Sequence, residues 1–243
     1  MGMEKMENSN LQECCLSRGI QRCGFHICVL GIIGSGKTSV SKALQHQIIH
    51  ETGHCWGLYE PVEQNPILPL YYKDPKRYAF EMQVYMLNRR LEQQKLAQDL
   101  AKAGICSVQD SSLFGDSCFV EMLRKQGIMD DIDVQTYSEL FLNMSDNVMY
   151  PTLVVYLDCE PETAKGKIIK RGRDCEKDID LGYLSALKEE LDILIDEFER
   201  YTSVFRINAN IDLTEDEIAQ EAIDIFNFAK ETRKYPILSR MGV

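Results

Sequence analysis

The sequence predicts an α/β fold in three layers, with a central, mostly parallel sheet of about five strands flanked by helices. Three observations predict it. Short apolar runs alternate with longer segments of helical periodicity, the mark of repeated strand–helix units. Those runs are apolar almost without a break, as strands covered on both faces are. No Pro/Gly/Ser-rich linker divides the 243 residues, a length that supports one large core.

Taken in order, "FHICVLG" (Phe25 to Gly31) reads as a buried strand and "KTSVSKALQHQIIHE" as the helix after it. "CWGLYE" is a second strand. Pro75 is suited to open a long helix through "KRYAFEMQVYMLNRRLEQQKLAQDLAKA", with Gly104 just past its end. "ICSVQ" is a third strand, "TLVVYLD" a fourth and "VFRINA" a fifth. Between the last two, Leu184, Leu187, Leu191, Leu194 and Phe198 recur at helical spacing and form one apolar face. The expected organisation is an N-terminal extension over residues 1–24, one domain over 25–232, and a tail over 233–243.

Composition narrows the partners. Lys plus Arg is 27 against 38 for Asp plus Glu, a formal charge of −11. A nucleic acid polymer is not expected, because phosphate-backbone binding rests on a basic face. No apolar run reaches membrane-spanning length, and the N-terminus lacks the apolar core of a signal peptide. The nine cysteines form no CxxC pair. Cys28, Cys106 and Cys159 sit in apolar runs and read as buried free thiols, which fits a reducing, cytoplasmic setting.

"GIIGSGKT", Gly31 to Thr38, matches GxxxxGK[ST] between a strand and a helix. Glycines let backbone N–H groups turn toward phosphate oxygens, and the helix N-terminus adds partial positive charge. Gly31, Gly34, Ser35, Gly36, Lys37 and Thr38, with Ser39 beside them, are therefore expected at a nucleoside-triphosphate site. Lys37 is placed to reach the outer phosphates and Thr38 to offer its hydroxyl to Mg²⁺. DxxG and NKxD are absent, which argues against a GTPase switch and for a phosphotransferase.

A phosphotransferase needs a base near the accepting hydroxyl. Glu60, in "YEPVEQNP" at the end of the second strand, stands where open α/β sheets bind ligands and is suited to take that proton. Gln83 and Arg90 lie seven residues apart on nearly one face of the long helix, and a base edge is a natural ligand for such side chains. "KGKIIKRGRDCEKD" gathers positive charge in an acidic protein, as a phosphate clamp requires.

"GIIGSGKTS", "YEPV", "YYKDPKRYAFEMQVYMLNRR", "QDSSLFGD" and "KRGRDCEKDIDLGYL" resemble, in order and spacing, the deoxynucleoside kinases that act on deoxycytidine, deoxyguanosine, deoxyadenosine and thymidine. The resemblance runs from about Phe25 to Tyr201. It implies a P-loop kinase fold with a basic lid, ATP at the nucleoside-triphosphate site, and ATP-dependent phosphorylation of a deoxynucleoside 5′-hydroxyl in nucleotide salvage. Glu60 would be the catalytic base and Gln83 the partner of the nucleobase. Arg90 and Asp116 match an Arg–Asp pair found with amino-bearing bases. Tyr72 and Glu176 match groups that hold the sugar 3′-hydroxyl. Lys167, Arg171 and Arg173 match the lid over the phosphates, and Asp110 matches an acid that helps hold Mg²⁺ opposite Thr38. It also implies a homodimer or higher homo-oligomer.

One position departs from the family. Where an Arg usually follows the acid, this chain has Ser111, which moves the catalytic charge onto Arg171 and Arg173. A purine such as deoxyadenosine is the expected substrate, because Ser117, Cys118 and Val120 are small neighbours of Asp116. The competing readings are a monophosphate kinase of the thymidylate type and an inactive nucleotide-binding protein.

Overall fold

A computed structural model describes residues 24–59, 64–146, 148–173, 176 and 178–232. The sheet is five-stranded and parallel at every pairing, in the order β2-β3-β1-β4-β5. Its strands are β1 (His26–Leu30), β2 (Trp56–Leu58), β3 (Ser107–Asp110), β4 (Leu153–Asp158) and β5 (Ser203–Asn208). The helices are α1 (Lys37–Thr52), α2 (Leu68–Lys73), α3 (Pro75–Lys102), α4 (Asp116–Lys125), α5 (Asp131–Ser145), α6 (Pro161–Arg171), α7 (Leu181–Phe198) and α8 (Glu215–Glu231). Helices α1 and α8 pack together in one layer. Helix α3 covers β1 and β3 and joins α4 and α5, while α7 packs on α4 and α6.

The expected strands form, each within two residues of its predicted bounds. Every residue of β1 is buried, as is all of β4 except its last. Edge strand β2 stops at Leu58, short of the predicted Glu60. The long helix opens at Pro75 with the Asp74 side chain accepting from Arg77 N–H, a cap that satisfies one first-turn donor. On α7, Leu184, Leu187, Leu191 and Phe198 are buried as predicted, and Ile195 takes the core position expected of Leu194. Helices α2, α4, α5, α6 and α8 go beyond the three helices that the sequence predicts. The last announces itself through a capping box, in which the Thr214 hydroxyl accepts from Glu217 N–H while the Glu217 carboxylate accepts from Thr214 N–H.

Strand β1 carries one polar residue into the core. His26 is fully buried, with Nδ1 3.1 Å from the Ser107 hydroxyl and its backbone N–H donating to Thr152 Oγ1 at 2.9 Å. Burial holds the imidazole neutral, lowering its pKa from the ordinary 6.5 to about 4 against the opposing hydrogen bonds of Gln94 and Gln109. An unfolded chain binds this proton below 6.5 whereas the folded chain resists until about 4, so stability is intact above the upper value and declines across that window. The loss amounts to about 3 kcal/mol. Denaturant unfolding between those pH values should show a steeper decline for the parent than for His26→Gln, and parallel curves would contradict it.

Candidate active site

Parallel pairing brings all the strand C-termini to one edge, and a cavity of about 550 Å³ opens there. The loop after β1 forms one wall. Gly34 adopts φ +86°, and a Cβ on it would lie 2.5 Å from the Ala164 carbonyl oxygen, so the loop packs on α6 backbone where a side chain has no room. Gly36 caps α1 with no side-chain cap and no acid in the first turn, leaving its positive end to an anionic ligand. Lys37 Nζ donates to the carbonyls of Gly31 and Ile32, both at 2.9 Å. Gly34, Gly36, Lys37, Thr38 and Ser39 line the cavity. Of the predicted loop residues, Gly31 and Ser35 do not; Ser35 is buried behind them.

Asp110 ends β3 opposite this loop, and the Thr38 hydroxyl donates to its Oδ2 at 2.5 Å. The serines after it make the turn. Ser111 has φ +70°, the one non-glycine residue at positive φ among those described, and its N–H donates to Val29 O at 3.0 Å. A left-handed residue carries roughly 1–2 kcal/mol of strain. Ser112 Oγ then accepts from Gly115 N–H at 3.1 Å, immediately before α4. Two small hydroxyl residues therefore reverse the chain tightly enough for Asp110 and Asp116 to face one cavity.

Asp116 is wholly buried. Its Oδ1 accepts from an Arg90 N–H of α3, while its Oδ2 has no partner among the described residues. Gln83, Arg90 and Asp116 all line the cavity, and Arg90 lies 5.8 Å above the Phe119 ring. The small neighbours do not contribute the expected room. Ser117 is exposed and donates to Phe114 O, Cys118 donates toward Glu190 O, and Val120 is in the core. For residues 117 and 118 the cause is helical periodicity, which turns them from the face that Asp116 shares with Phe119 and Val120; Val120 is taken up by the core instead.

The lid residues converge from α6. Arg171 and Arg173 both donate to the Glu176 carboxylate, the latter at 3.2 Å. Lys167 Nζ donates to Ala209 O at 2.8 Å and to Ile211 O at 3.4 Å. All four line the cavity with Tyr72. Glu60 lies outside the described residues. Its predecessor Tyr59 lines the cavity, and burial foremost pushes its phenol up to about 12.

Several cavity residues escaped the sequence reading. Asn65 Oδ1 accepts from the N–H groups of Ile67 and Leu68, at 2.9 and 3.2 Å, and its amide nitrogen lies 3.5 Å from the sulfurs of Met82 and Met86. It thereby anchors α2, whose Tyr71 hydroxyl meets that of Tyr183 at 3.2 Å. The Asn65-Pro66 dipeptide is a turn signal that marks this site in the sequence. Nothing local marks Tyr183, Met82 or Met86.

Thr38 and Asp110 suit Mg²⁺, a hard cation held by few protein oxygens in company with phosphate and water. No cluster of three His, Cys, Asp or Glu suited to a metal occurs among the described residues; one carboxylate and one hydroxyl agree with such a shared site.

Similarity to known proteins accords with this geometry. The deoxynucleoside kinase family model matches residues 27–229. A deoxyadenosine kinase of Dictyostelium discoideum is 39% identical over 197 residues, covering 81% of this chain and 77% of its own. A deoxyguanosine kinase of Lactobacillus acidophilus is 36% identical over 170 residues, 67% of this chain and 68% of that one. The structure of a deoxyadenosine kinase from M. mycoides with bound dATP superposes with a TM-score of 0.70 at 28% identity, covering 84% of this chain and 99% of that one.

Proposed function

Because the chain belongs to the deoxynucleoside kinase family and is an enzyme that phosphorylates deoxynucleosides, we propose that it transfers the terminal phosphoryl group of ATP to the 5′-hydroxyl of a purine deoxynucleoside. Deoxyadenosine is the foremost substrate. The thymidylate-kinase and inactive-protein readings give way to that membership. Phosphoryl transfer is mostly positioning and charge stabilisation, and each task falls to particular side chains. The Gly31–Ser39 loop receives the triphosphate, with Lys37 on its outer phosphates. Thr38 and Asp110 would hold Mg²⁺, which when bound screens phosphate charge. Glu60 takes the proton of the substrate hydroxyl as the bond to phosphorus forms. Tyr72 and Glu176 hold the sugar.

The observation that carries the substrate class is the half-used Asp116 carboxylate. Arg90 occupies one oxygen, and the other stands buried without a partner among the described residues. An unfilled buried acceptor is unfavourable by about 1–3 kcal/mol, and an exocyclic amino group fills it. Gln83 can both donate to and accept from the base. The names of the relatives, deoxyadenosine and deoxyguanosine kinase, support the purine choice. Buried thiols at Cys28, Cys55, Cys106, Cys118 and Cys159 support a cytoplasmic setting, and Ile132, at 75% exposure with Leu142 on α5, supports self-association as a homodimer or larger homo-oligomer.

Two measurements test this reading. Values of kcat/KM should be higher for deoxyadenosine, deoxyguanosine and deoxycytidine than for thymidine, which has no amino group. A thymidine value above all three overturns the assignment. With Ser111 in place of an Arg, transition-state charge rests on the lid. Replacing Arg171 and Arg173 together by Ala should remove at least about 2–3 kcal/mol of transition-state stabilisation, roughly 30- to 150-fold in kcat/KM. Retained activity in that double variant contradicts the lid's role.

A further inference from the structure

The segment leading to Glu60 leaves the sheet early. Ladder pairing of β2 ends at Leu58, opposite Gln109, so the next residue has no strand partner to fix it. Side chains from two helices take over. Gln93 of α3 donates through Nε2 to the Tyr59 carbonyl at 2.9 Å, and the Tyr59 hydroxyl donates to Gln45 Oε1 of α1 at 2.6 Å. The same Gln45 donates to Cys55 O at 3.1 Å, so the segment is held at both ends.

Gln93 is itself oriented from the core. Gln109 of β3 donates to Gln93 Oε1 at 3.3 Å, and the Cys28 thiol of β1 donates to Gln109 Oε1 at 3.5 Å. This chain of donors fixes which way the Gln93 amide faces: its oxygen is engaged by Gln109, and its nitrogen is left for the Tyr59 carbonyl. Peptide planarity makes that carbonyl oxygen part of the same rigid unit as the Cα of the next residue. Holding the oxygen therefore holds the plane of the peptide that follows Tyr59.

We propose that Gln93 is a positioning residue for phosphoryl transfer, acting through the Tyr59 carbonyl on the base Glu60. The inference rests on the reading of Glu60 as the base. Gln93 does not line the cavity, so its contribution concerns kcat and leaves the binding of ATP and nucleoside alone. Small misplacements of a reacting group are enough to slow a reaction substantially.

A double-mutant cycle tests it with the full chain, ATP and deoxyadenosine. Gln93→Met removes the amide at similar volume and should lower kcat ~10-fold with both KM values near the parent's. Glu60→Gln should lower kcat by about 100-fold or more. Adding Gln93→Met to Glu60→Gln should then change nothing further, because the group being positioned is gone. Gln93→Glu, which keeps the acceptor for Gln109 but cannot donate to the carbonyl, gives the same comparison if the Met variant folds poorly. Parent-like kcat in both Gln93 variants overturns the proposal, and so does an equal loss in the Glu60→Gln background. Parent-like kcat in Glu60→Gln alone removes the base assignment first, and the role of Gln93 with it.

Discussion

The site depends on the register between β1 and β3. Val29 stands opposite Asp110, and the ladder takes one more step as Ser111 N–H donates to Val29 O. Both strands are parallel, so both release their chains at the same edge. One release becomes the glycine loop and α1; the other becomes the Ser111–Ser112 turn and α4. A slip in this pairing would separate Thr38 from Asp110, whose contact at 2.5 Å joins the glycine loop to β3 across the cavity. It would also carry Asp116 away from Arg90.

Electrostatics then divide the cavity. A protein of net charge −11 sets Lys37, Arg90, Lys167, Arg171 and Arg173 around one space. Arg90 is committed to Asp116 within the fold, and removing either partner would strand a buried charge. The lid arginines are partly exposed and share Glu176. Glu176 itself is buried, but the solvent-facing guanidinium groups are held less firmly than the Arg90–Asp116 pair and are freer to meet an incoming anion. Glu176 is thus a neighbour of both the proposed sugar site and the proposed phosphate site, and the Tyr71–Tyr183 contact ties the adjoining helices together.

Legibility in the sequence followed backbone demand. The phosphate loop was readable because its glycines answer to positive φ and close approach, as Gly34 does beneath Ala164. Buried strands were readable as unbroken apolar runs, and Gln83 and Arg90 as sharing one helix face because their spacing nearly matches two helical turns. The reading failed where tertiary context decides. The small residues beside Asp116 suggest an open cavity, yet the periodicity of α4 turns Ser117 and Cys118 away from it. Gln93 looks like any polar residue on a solvated helix until the end of β2 is seen beside it. Ser111 was read as a lost charge, whereas its backbone at φ +70° also makes the turn that aims both carboxylates. Nothing in composition or periodicity reports a left-handed serine.

The central claim is that one cavity joins a triphosphate site to a deoxynucleoside site for a single transfer between them. Phosphorus NMR of the purified protein with ATP, Mg²⁺ and deoxyadenosine tests it most directly. The account predicts ADP and deoxyadenosine 5′-monophosphate appearing in equal amounts, and neither forming when Asp110→Asn replaces the parent. ADP with free phosphate and no nucleotide product, or transfer to deoxyadenosine monophosphate in preference to deoxyadenosine, would contradict it.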